Sequence, residues 1–276
     1  MSESSILLES VNLVKDKLGT GLNNILVERA VLGLFFSGVK LSTGQGGLCF
    51  TPIKEMPQAV CCPSSAKAMP LSGRLNKKPV TEYLDDVFSD NILRKSLGIA
   101  ALNALSMEIW NKEAAYDYQT LIATDAFDEI NVKAYKKTVV VGALVPMLKK
   151  LIKEEADFMV LEQDSRTLKG KELDHYAPST DAALYVPDAD LLIITGVTIL
   201  NDTLEELLSL AKRGAEILVT GPTASMLPDA FFKRGVTMLG GIQVTKADEL
   251  LDLISQGGSG YHFFGKYADR VVIKKF

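Results

Sequence analysis

The sequence predicts an α/β protein in two parts, an N-terminal α+β unit over residues 1–125 and a doubly wound parallel sheet over residues 126–276. The length of 276 residues suggests two domains of ordinary size, at about 150 residues each. Hydrophobic residues make up 47% of the chain and charged residues 23%, a balance typical of a globular protein. After residue 137 strand-like runs alternate with helical ones, which indicates parallel strands joined by crossover helices.

The N-terminal part is predicted as a helix, a meander and a second helix. Apolar residues at positions 7, 11, 14 and 18, followed by Gly19, indicate an amphipathic helix with a glycine C-cap. Three runs rich in Val, Leu and Phe, over residues 24–28, 30–40 and 47–51, indicate an antiparallel meander. Residues 91–110 are apolar at helical spacing and predict a helix whose small residues permit close packing.

The C-terminal part is predicted as a Rossmann-like sheet. Its expected strands are residues 138–144, 157–164, 190–196, 216–222 and 236–242, with a last strand at the C-terminal end. Helices are expected over residues 204–213 and 246–254. Asp202 or Thr203 would cap the first of these helices, and Thr245 with Asp248 resembles a capping box for the second.

The charge balance excludes two classes of partner. Thirty basic and 34 acidic residues give a formal net charge of −4, so the footprint of a nucleic-acid binder or of an anionic-membrane binder is missing. The apolar runs are shorter than the ~18 residues that span a bilayer, and the N-terminus lacks the pattern of a secretion signal. We therefore expect a cytoplasmic protein.

Metal-ligating residues are scarce. The chain has three cysteines, Cys49, Cys61 and Cys62, and two histidines, His175 and His262. Their spacing matches neither a disulfide framework nor a zinc site. We therefore predict a reducing compartment and no metal ligands.

The carboxyl ends of the predicted parallel strands are the expected ligand site, because open α/β sheets bind ligands there. Gly142 follows the first strand as a lone glycine, which disfavours the GxGxxG fingerprint of a standard NAD site. Glu162 ends the second strand, where nucleotide and S-adenosylmethionine sites keep an acid for ribose hydroxyls. It is the acid that we nominate as catalytic, and a solvated strand-end carboxylate is the alternative.

Two further strand ends combine glycine with hydroxyl side chains, in the runs TGVTILNDT and TGPTASMLP. Hydroxyls, an amide and free N–H groups at such a place favour a polar or anionic ligand, although helix capping explains at least one of these residues. The ligand-binding residues predicted here, with Gly142, are Thr195, Gly196, Thr198, Asn201, Gly221 and Thr223.

The N-terminal part offers two more candidates. The loop of residues 41–52 is either a hairpin connection or a lid over the strand ends, with Ser42, Thr43, Gly44 and Gly46 as ligand-binding residues. Asn103 lies in the middle of the second predicted helix. Its amide either has a buried partner or ligand, or it is exposed.

Several of these runs follow one another along nearly the whole chain. They are LSTGQGG with CFTP after it, GIAALNALS, VVVG followed by Pro146, LEQD, TGVTILNDT, VTGPTASMLP and GGIQV. Together they resemble the bacterial and archaeal family of putative heavy-metal chelation proteins. The resemblance implies an enolase N-terminal-like domain followed by a Rossmann-like domain with partial similarity to methyltransferases. It also implies a site in the cleft between the two domains, formed by Glu162 and the ligand-binding residues named above apart from Gly196.

The resemblance further implies a role in metal homeostasis. The step suggested for the family is a condensation, hydrolysis or transfer on a pterin-, flavin- or siderophore-like chelator, so an enzyme is favoured and its reaction class stays open. The cofactor is unknown, with S-adenosylmethionine or another nucleotide-like ligand as candidates. The expected partner is a small molecule, and a homodimer is left open. The alternatives are direct heavy-metal binding through the cysteines and histidines, and a non-catalytic metabolite sensor.

Overall fold

Two sheets, of four and eight strands, organise the part of the chain that the structure describes. The structure, a computed structural model, describes residues 5–55, 68–112 and 117–276. Cys61 and Cys62 lie outside these ranges. The mixed α/β architecture confirms the predicted fold class at that level.

The small sheet is antiparallel, in the order β3-β2-β1-β4. Its strands are β1 (Leu26–Leu32), β2 (Phe36–Leu41), β3 (Gly46–Phe50) and β4 (Lys78–Pro79). The first three form the predicted meander, although the second predicted run joined the end of β1, a turn and β2. Helix α1 (Ile6–Leu18) precedes the sheet and ends, as predicted, at Gly19, whose φ of 52° favours glycine.

Two helices follow the small sheet, α2 (Val80–Asp86) and α3 (Ile92–Trp110). Helix α3 confirms the predicted helix and is buried along nearly its whole length, against β2 and β3. The approach is close because of Gly47, where a Cβ atom would lie 2.1 Å from the carbonyl oxygen of Ala100. A larger residue there would push the helix away from the sheet.

The large sheet has the order β5-β12-β11-β10-β9-β6-β7-β8. Its strands are β5 (Tyr118–Ile122), β6 (Thr138–Val141), β7 (Phe158–Glu162), β8 (Tyr176–Pro178), β9 (Leu191–Thr195), β10 (Glu216–Thr220), β11 (Met238–Val244) and β12 (Ala268–Lys275). The six neighbouring strands from β8 to β11 in this order are parallel, whereas β12 pairs antiparallel with both of its neighbours, β11 and β5. All five predicted parallel strands and the last strand are present, and β5 and β8 were not predicted.

Strand β6 comes first along the chain among the parallel strands and lies in their middle. The chain therefore adds β7 and β8 on one side of it and β9, β10 and β11 on the other. This places the topological switch point of the sheet between β6 and β9.

The helices of this region are α4 (Val145–Lys153), α5 (Ala182–Tyr185), α6 (Val197–Leu200), α7 (Leu204–Leu210), α8 (Asp229–Phe232), α9 (Ala247–Ser255) and α10 (Gly260–Phe263). Alternate strand residues enter two cores. Val139 and Val141 pack in the core shared with α1 and α3, whereas Val140 packs with α4. No helix in the described ranges is long and apolar enough to cross a bilayer.

Thr203 stands at the N-cap of α7 as predicted, but the predicted side-chain capping bonds were wrong. Neither α7 nor α9 has a side-chain bond at its N-cap. Asp248 instead accepts hydrogen bonds from Arg29 and Lys40, both at 2.7 Å, because the small sheet brings these two cations to α9. The carboxylate therefore joins α9 to the small sheet rather than capping its helix.

Candidate functional site

A cavity of about 1000 Å³ lies where the carboxyl ends of β6, β7 and β9 meet the small sheet. On the small-sheet side, Phe35, Phe50 and the segment after β3 form its wall. On the large-sheet side, the strand ends and the start of α7 form the wall. The predicted site residues that line this cavity are Gly142, Glu162, Thr195, Thr198 and Asn201.

Backbone N–H groups hold the carboxylate of Glu162 at the end of β7. Its Oε2 accepts from the N–H of Ala143 at 2.8 Å. Its Oε1 accepts from Gln163 at 2.8 Å and from Asp164 at 3.1 Å. Glu162 thereby fixes the turn after β6 against the end of β7, with acceptor capacity left at Oε2 because a carboxylate has about four lone-pair positions.

Gly142 allows the ends of β6 and β9 to come together. Its φ is 93°, and a Cβ atom built there would lie 2.7 Å from Cγ2 of Thr195. The N–H of Leu144 bonds to the carbonyl of Gly142 at 2.8 Å and closes a tight turn before α4. Glycine is therefore required both by the backbone conformation and by the neighbouring threonine.

The end of β9 supplies hydroxyl and amide groups. Thr198 donates its hydroxyl to the carbonyl of Thr195 at 2.7 Å and is buried. Oδ1 of Asn201 accepts from the hydroxyl of Thr203 at 2.7 Å, which orients the amide. Within the described ranges Nδ2 of Asn201 donates to no protein atom, so its two hydrogens can serve a ligand.

An ion pair that was not predicted connects the two walls of the cavity. Lys54, in the segment after β3, lies 2.9 Å from Asp164, just after β7. Asp164 also accepts two bonds from Arg166, at 2.8 and 3.0 Å. These cations, Arg166 above all, hold the pKa of Asp164 well below its usual range.

The predicted lid residues lie away from the cavity. Ser42, Thr43 and Gly44 form the exposed turn that joins β2 to β3, and β3 separates this turn from the cavity by roughly 13 Å at 3.3 Å per residue. The hydroxyl of Ser42 accepts from the N–H of Leu26 at 3.1 Å. Gly46 packs against Val244, 2.7 Å from a Cβ position. The hairpin alternative therefore describes this loop, and ligand binding by its residues stays a prediction.

A second group of predicted residues lies where the two sheets meet. Asn103 donates through Nδ2 to the carbonyls of Leu48 at 2.8 Å, Thr223 at 3.1 Å and Pro222 at 3.3 Å. Its Oδ1 has no hydrogen-bond partner in the part of the chain that the structure describes. Thr223 accepts the N–H of Phe50 at 3.0 Å. The amide thus has the buried partners that the sequence left open.

Gly196 and Gly221 also belong to this second group of predicted residues. Both make backbone hydrogen bonds within the large sheet. The N–H of Gly196 bonds to Thr220 at 2.7 Å, and that of Gly221 bonds to Gly240 at 2.8 Å. Neither glycine lines the cavity, nor do Asn103 and Thr223. For these four residues, too, ligand binding stays a prediction.

Metal ligands do not converge in residues 5–55, 68–112 and 117–276, where no group of three or more His, Cys, Asp or Glu could hold an ion. Burial raises the pKa of the Cys49 thiol to about 12, which disfavours the thiolate that soft metals bind. The ring of His175 stacks on Phe158, with centroids 3.8 Å apart. The residues present in these ranges therefore do not fit a resident heavy metal.

The fold and the cavity define an α/β protein in which a small antiparallel sheet covers part of the carboxyl edge of a larger, mainly parallel sheet. This chain belongs to the family described as putative heavy-metal chelation. One family model, DUF4213, matches residues 15–106, and a second with the same description, DUF364, matches residues 125–273. The family resemblance predicted from the sequence is thereby confirmed.

Three relatives illustrate the family. An uncharacterised protein of Methanocaldococcus jannaschii is 31% identical over 192 residues, which cover 68% of this chain and 69% of the relative. A crystal structure from Pyrococcus horikoshii, of a DUF364 protein of unknown function, matches with a TM-score of 0.77 and 21% identity over 98% of this chain and 100% of that one. A second DUF364 structure, from Desulfitobacterium hafniense, matches with a TM-score of 0.71 and 21% identity over 97% of this chain and 99% of that one. The fold is shared over nearly the full length.

Proposed function

We propose that this chain binds a small organic molecule in the cavity at the ends of β6, β7 and β9, and that this molecule is a metal chelator. The cavity carries the binding part of the proposal, because about 1000 Å³ at a topological switch point is enough for a drug-sized ligand. The chelator part rests on the family description and on the lack of converging metal ligands in the described ranges.

Three side chains are assigned to the ligand. Nδ2 of Asn201 and the hydroxyl of Thr195 donate hydrogen bonds, and the remaining capacity of Oε2 of Glu162 accepts one. Glu162 positions the turn before α4 at the same time. As the general base predicted from the sequence, it would have to exchange these backbone bonds during turnover.

The finer fold assignments belong to the same proposal. The order β8-β7-β6-β9-β10-β11 supports a Rossmann-like sheet. The enolase N-terminal-like assignment of residues 1–125 rests on the sequence resemblance. Because β5 pairs with β12, we place the boundary between the two units before residue 118 rather than at residue 125.

Thermal unfolding with three chelator probes, pterin, riboflavin and desferrioxamine B, tests the proposal. A probe that binds the folded chain at 100 times its Kd stabilises it by about 2.7 kcal/mol, which raises Tm by several degrees. We expect such a rise with at least one probe, and its loss in Asn201→Ala and Thr195→Val. The control is Thr43→Val, because Thr43 is exposed on the distant turn.

No rise with any probe, or an equal rise in Asn201→Ala, contradicts the proposal. Loss of binding in Thr43→Val alone would support the lid predicted from the sequence instead. A rise with Zn²⁺ in the absence of any chelator would favour direct metal binding.

A further inference from the structure

The charges around the cavity narrow the chemical class of ligand that it can bind. In a doubly wound sheet the turn after the first strand commonly presents free N–H groups at a helix N-terminus, and phosphates bind there. In this chain that turn is the segment from Gly142 to Pro146, before α4. What its N–H groups bond to therefore decides whether a phosphate can bind at this turn.

The N–H groups of this turn are already used. Ala143 donates to Oε2 of Glu162 at 2.8 Å, and Leu144 donates to the carbonyl of Gly142 at 2.8 Å. Val145 donates to Ala143 at 2.9 Å, and Pro146 has no N–H. The carboxylate of Glu162 thus occupies the place of an anionic ligand, and a phosphate brought there would meet a like charge without free donors.

The charged side chains of the cavity wall are also mainly negative. Among the described residues that line it, four carry carboxylates, namely Glu55, Glu162, Asp164 and Glu206, whereas Lys54 carries the single ammonium group. Lys54 is already paired with Asp164, as is Arg166 from outside the wall. Even with Arg166 included, negative charge is in excess, and a concave wall strengthens the resulting field.

Apolar side chains line the same cavity. Leu34, Phe35 and Ile53 are each at least 40% exposed beside it, and Phe50 lies with them. Aromatic faces and carboxylates together suit an organic cation, since a ring attracts a cation held over it. A bare metal ion suits this wall less well, because no three ligands converge in the described ranges.

We infer that the cavity selects a small organic cation, with an ammonium, guanidinium or sulfonium group and no phosphate. The inference rests on the proposed binding function and names its ligand class. Of the two cofactor classes considered from the sequence, a sulfonium compound meets the charge requirement and a nucleotide phosphate does not.

The test measures charge directly, with two small nitroxide probes of similar shape, aminomethyl-PROXYL as the cation and carboxy-PROXYL as the anion. Each probe enhances the relaxation of nearby amide protons in NMR spectra of the full chain. At the cavity amides of Gln163, Thr167 and Val197 we expect the cation to give at least about three-fold more enhancement than the anion, since surface potentials reach several kT.

The double variant Glu55→Gln/Glu206→Gln should lower this ratio at the cavity amides. The matched control is Glu154→Gln, because Glu154 follows the far end of α4 and does not line the cavity. A ratio of one or less in the unmodified chain overturns the inference, as does an equal loss in the control variant.

The two proposals fail in different ways. The nitroxide ratio is measured whether or not a chelator binds, so a low ratio together with binding of pterin or riboflavin, which are uncharged near pH 7, overturns the charge inference alone. A high ratio with no response to pterin, riboflavin or desferrioxamine B overturns the chelator proposal alone.

Discussion

Two neighbouring strand ends carry nearly the same four residues and have different surroundings. The run Thr195-Gly196-Val197-Thr198 ends β9, and Thr220-Gly221-Pro222-Thr223 ends β10, with Thr195 and Thr220 paired in register. Thr195, Val197 and Thr198 of the first run line the cavity. The second is covered by α3 and β3, where Asn103 and Phe50 bond to it. A strand-end motif therefore does not by itself define a binding site, because the unit packed over it decides what it meets.

The largest expected effect distinguishes the two asparagines that accompany these runs. Asn103→Ala removes the donor to three buried carbonyls, and we expect a loss of about 3 kcal/mol in the free energy of unfolding. The unpaired Oδ1 disappears as well, which keeps the loss from being larger. Asn201→Ala, at the cavity, should cost about 1 kcal/mol or less. Urea unfolding of both variants measures the difference. Equal losses in the free energy of unfolding would contradict a structural role for Asn103 that Asn201 does not share.

The same comparison shows how far the sequence reaches. Strands β6, β7 and β9 and helix α3 were predicted because apolar periodicity is a local signal. Gly142, Glu162 and Thr195 were predicted at the site because parallel strands end at one edge. The covering of Thr223 was not predictable, since it depends on packing between residues more than 100 positions apart in the chain.

The ion pairs and the shortest strand were not predicted, because no local sequence pattern indicates them. Lys54 and Asp164 are 110 positions apart, so no pattern connects them. Asp248 stands at a plausible capping position, and only the arrival of Arg29 and Lys40 gives it other partners. Strand β8 has three residues, too few for a periodic signal.

The next prediction sets a crowded glycine against an open one. Gly142 and Gly44 share a φ of 93°, but a Cβ at Gly142 would lie 2.7 Å from Thr195, whereas at Gly44 nothing lies within 4 Å. Gly44→Ala should cost about 1 kcal/mol through backbone strain alone. Gly142→Ala should cost about 2 kcal/mol more, because Thr195 must also move. Thermal unfolding at one pH measures both, and equal Tm values would show that the steric contact is relieved without cost.

A smaller effect compares the two threonines directly. Thr223→Val leaves the N–H of Phe50 without its acceptor, the buried hydroxyl of Thr223, and should cost about 1.5 kcal/mol. Thr195→Val loses a long contact of 3.5 Å from the N–H of Val197 and should cost about 0.5 kcal/mol. In chelator binding the order should reverse, with Thr195→Val the weaker binder. If Thr223→Val abolished chelator binding without loss of stability, the run at the end of β10 would be part of the binding site.

The smallest effect concerns the ion pair that joins the two walls of the cavity. Asp164 has its pKa below the usual value, first because of Arg166 and second because of Lys54. The stabilisation from such a depressed carboxyl is present above its unfolded pKa of about 3.8 and is lost as pH falls through the folded value. Both partners are exposed cations, so Lys54→Met should change Tm at pH 7 by about 1 °C or less. A second variant, Arg166→Met, removes the other cation. In carboxyl NMR titrations the pKa of Asp164 should rise in Lys54→Met and rise further in Arg166→Met. The reverse order would mean that the link across the cavity, rather than the local turn, holds Asp164 ionised.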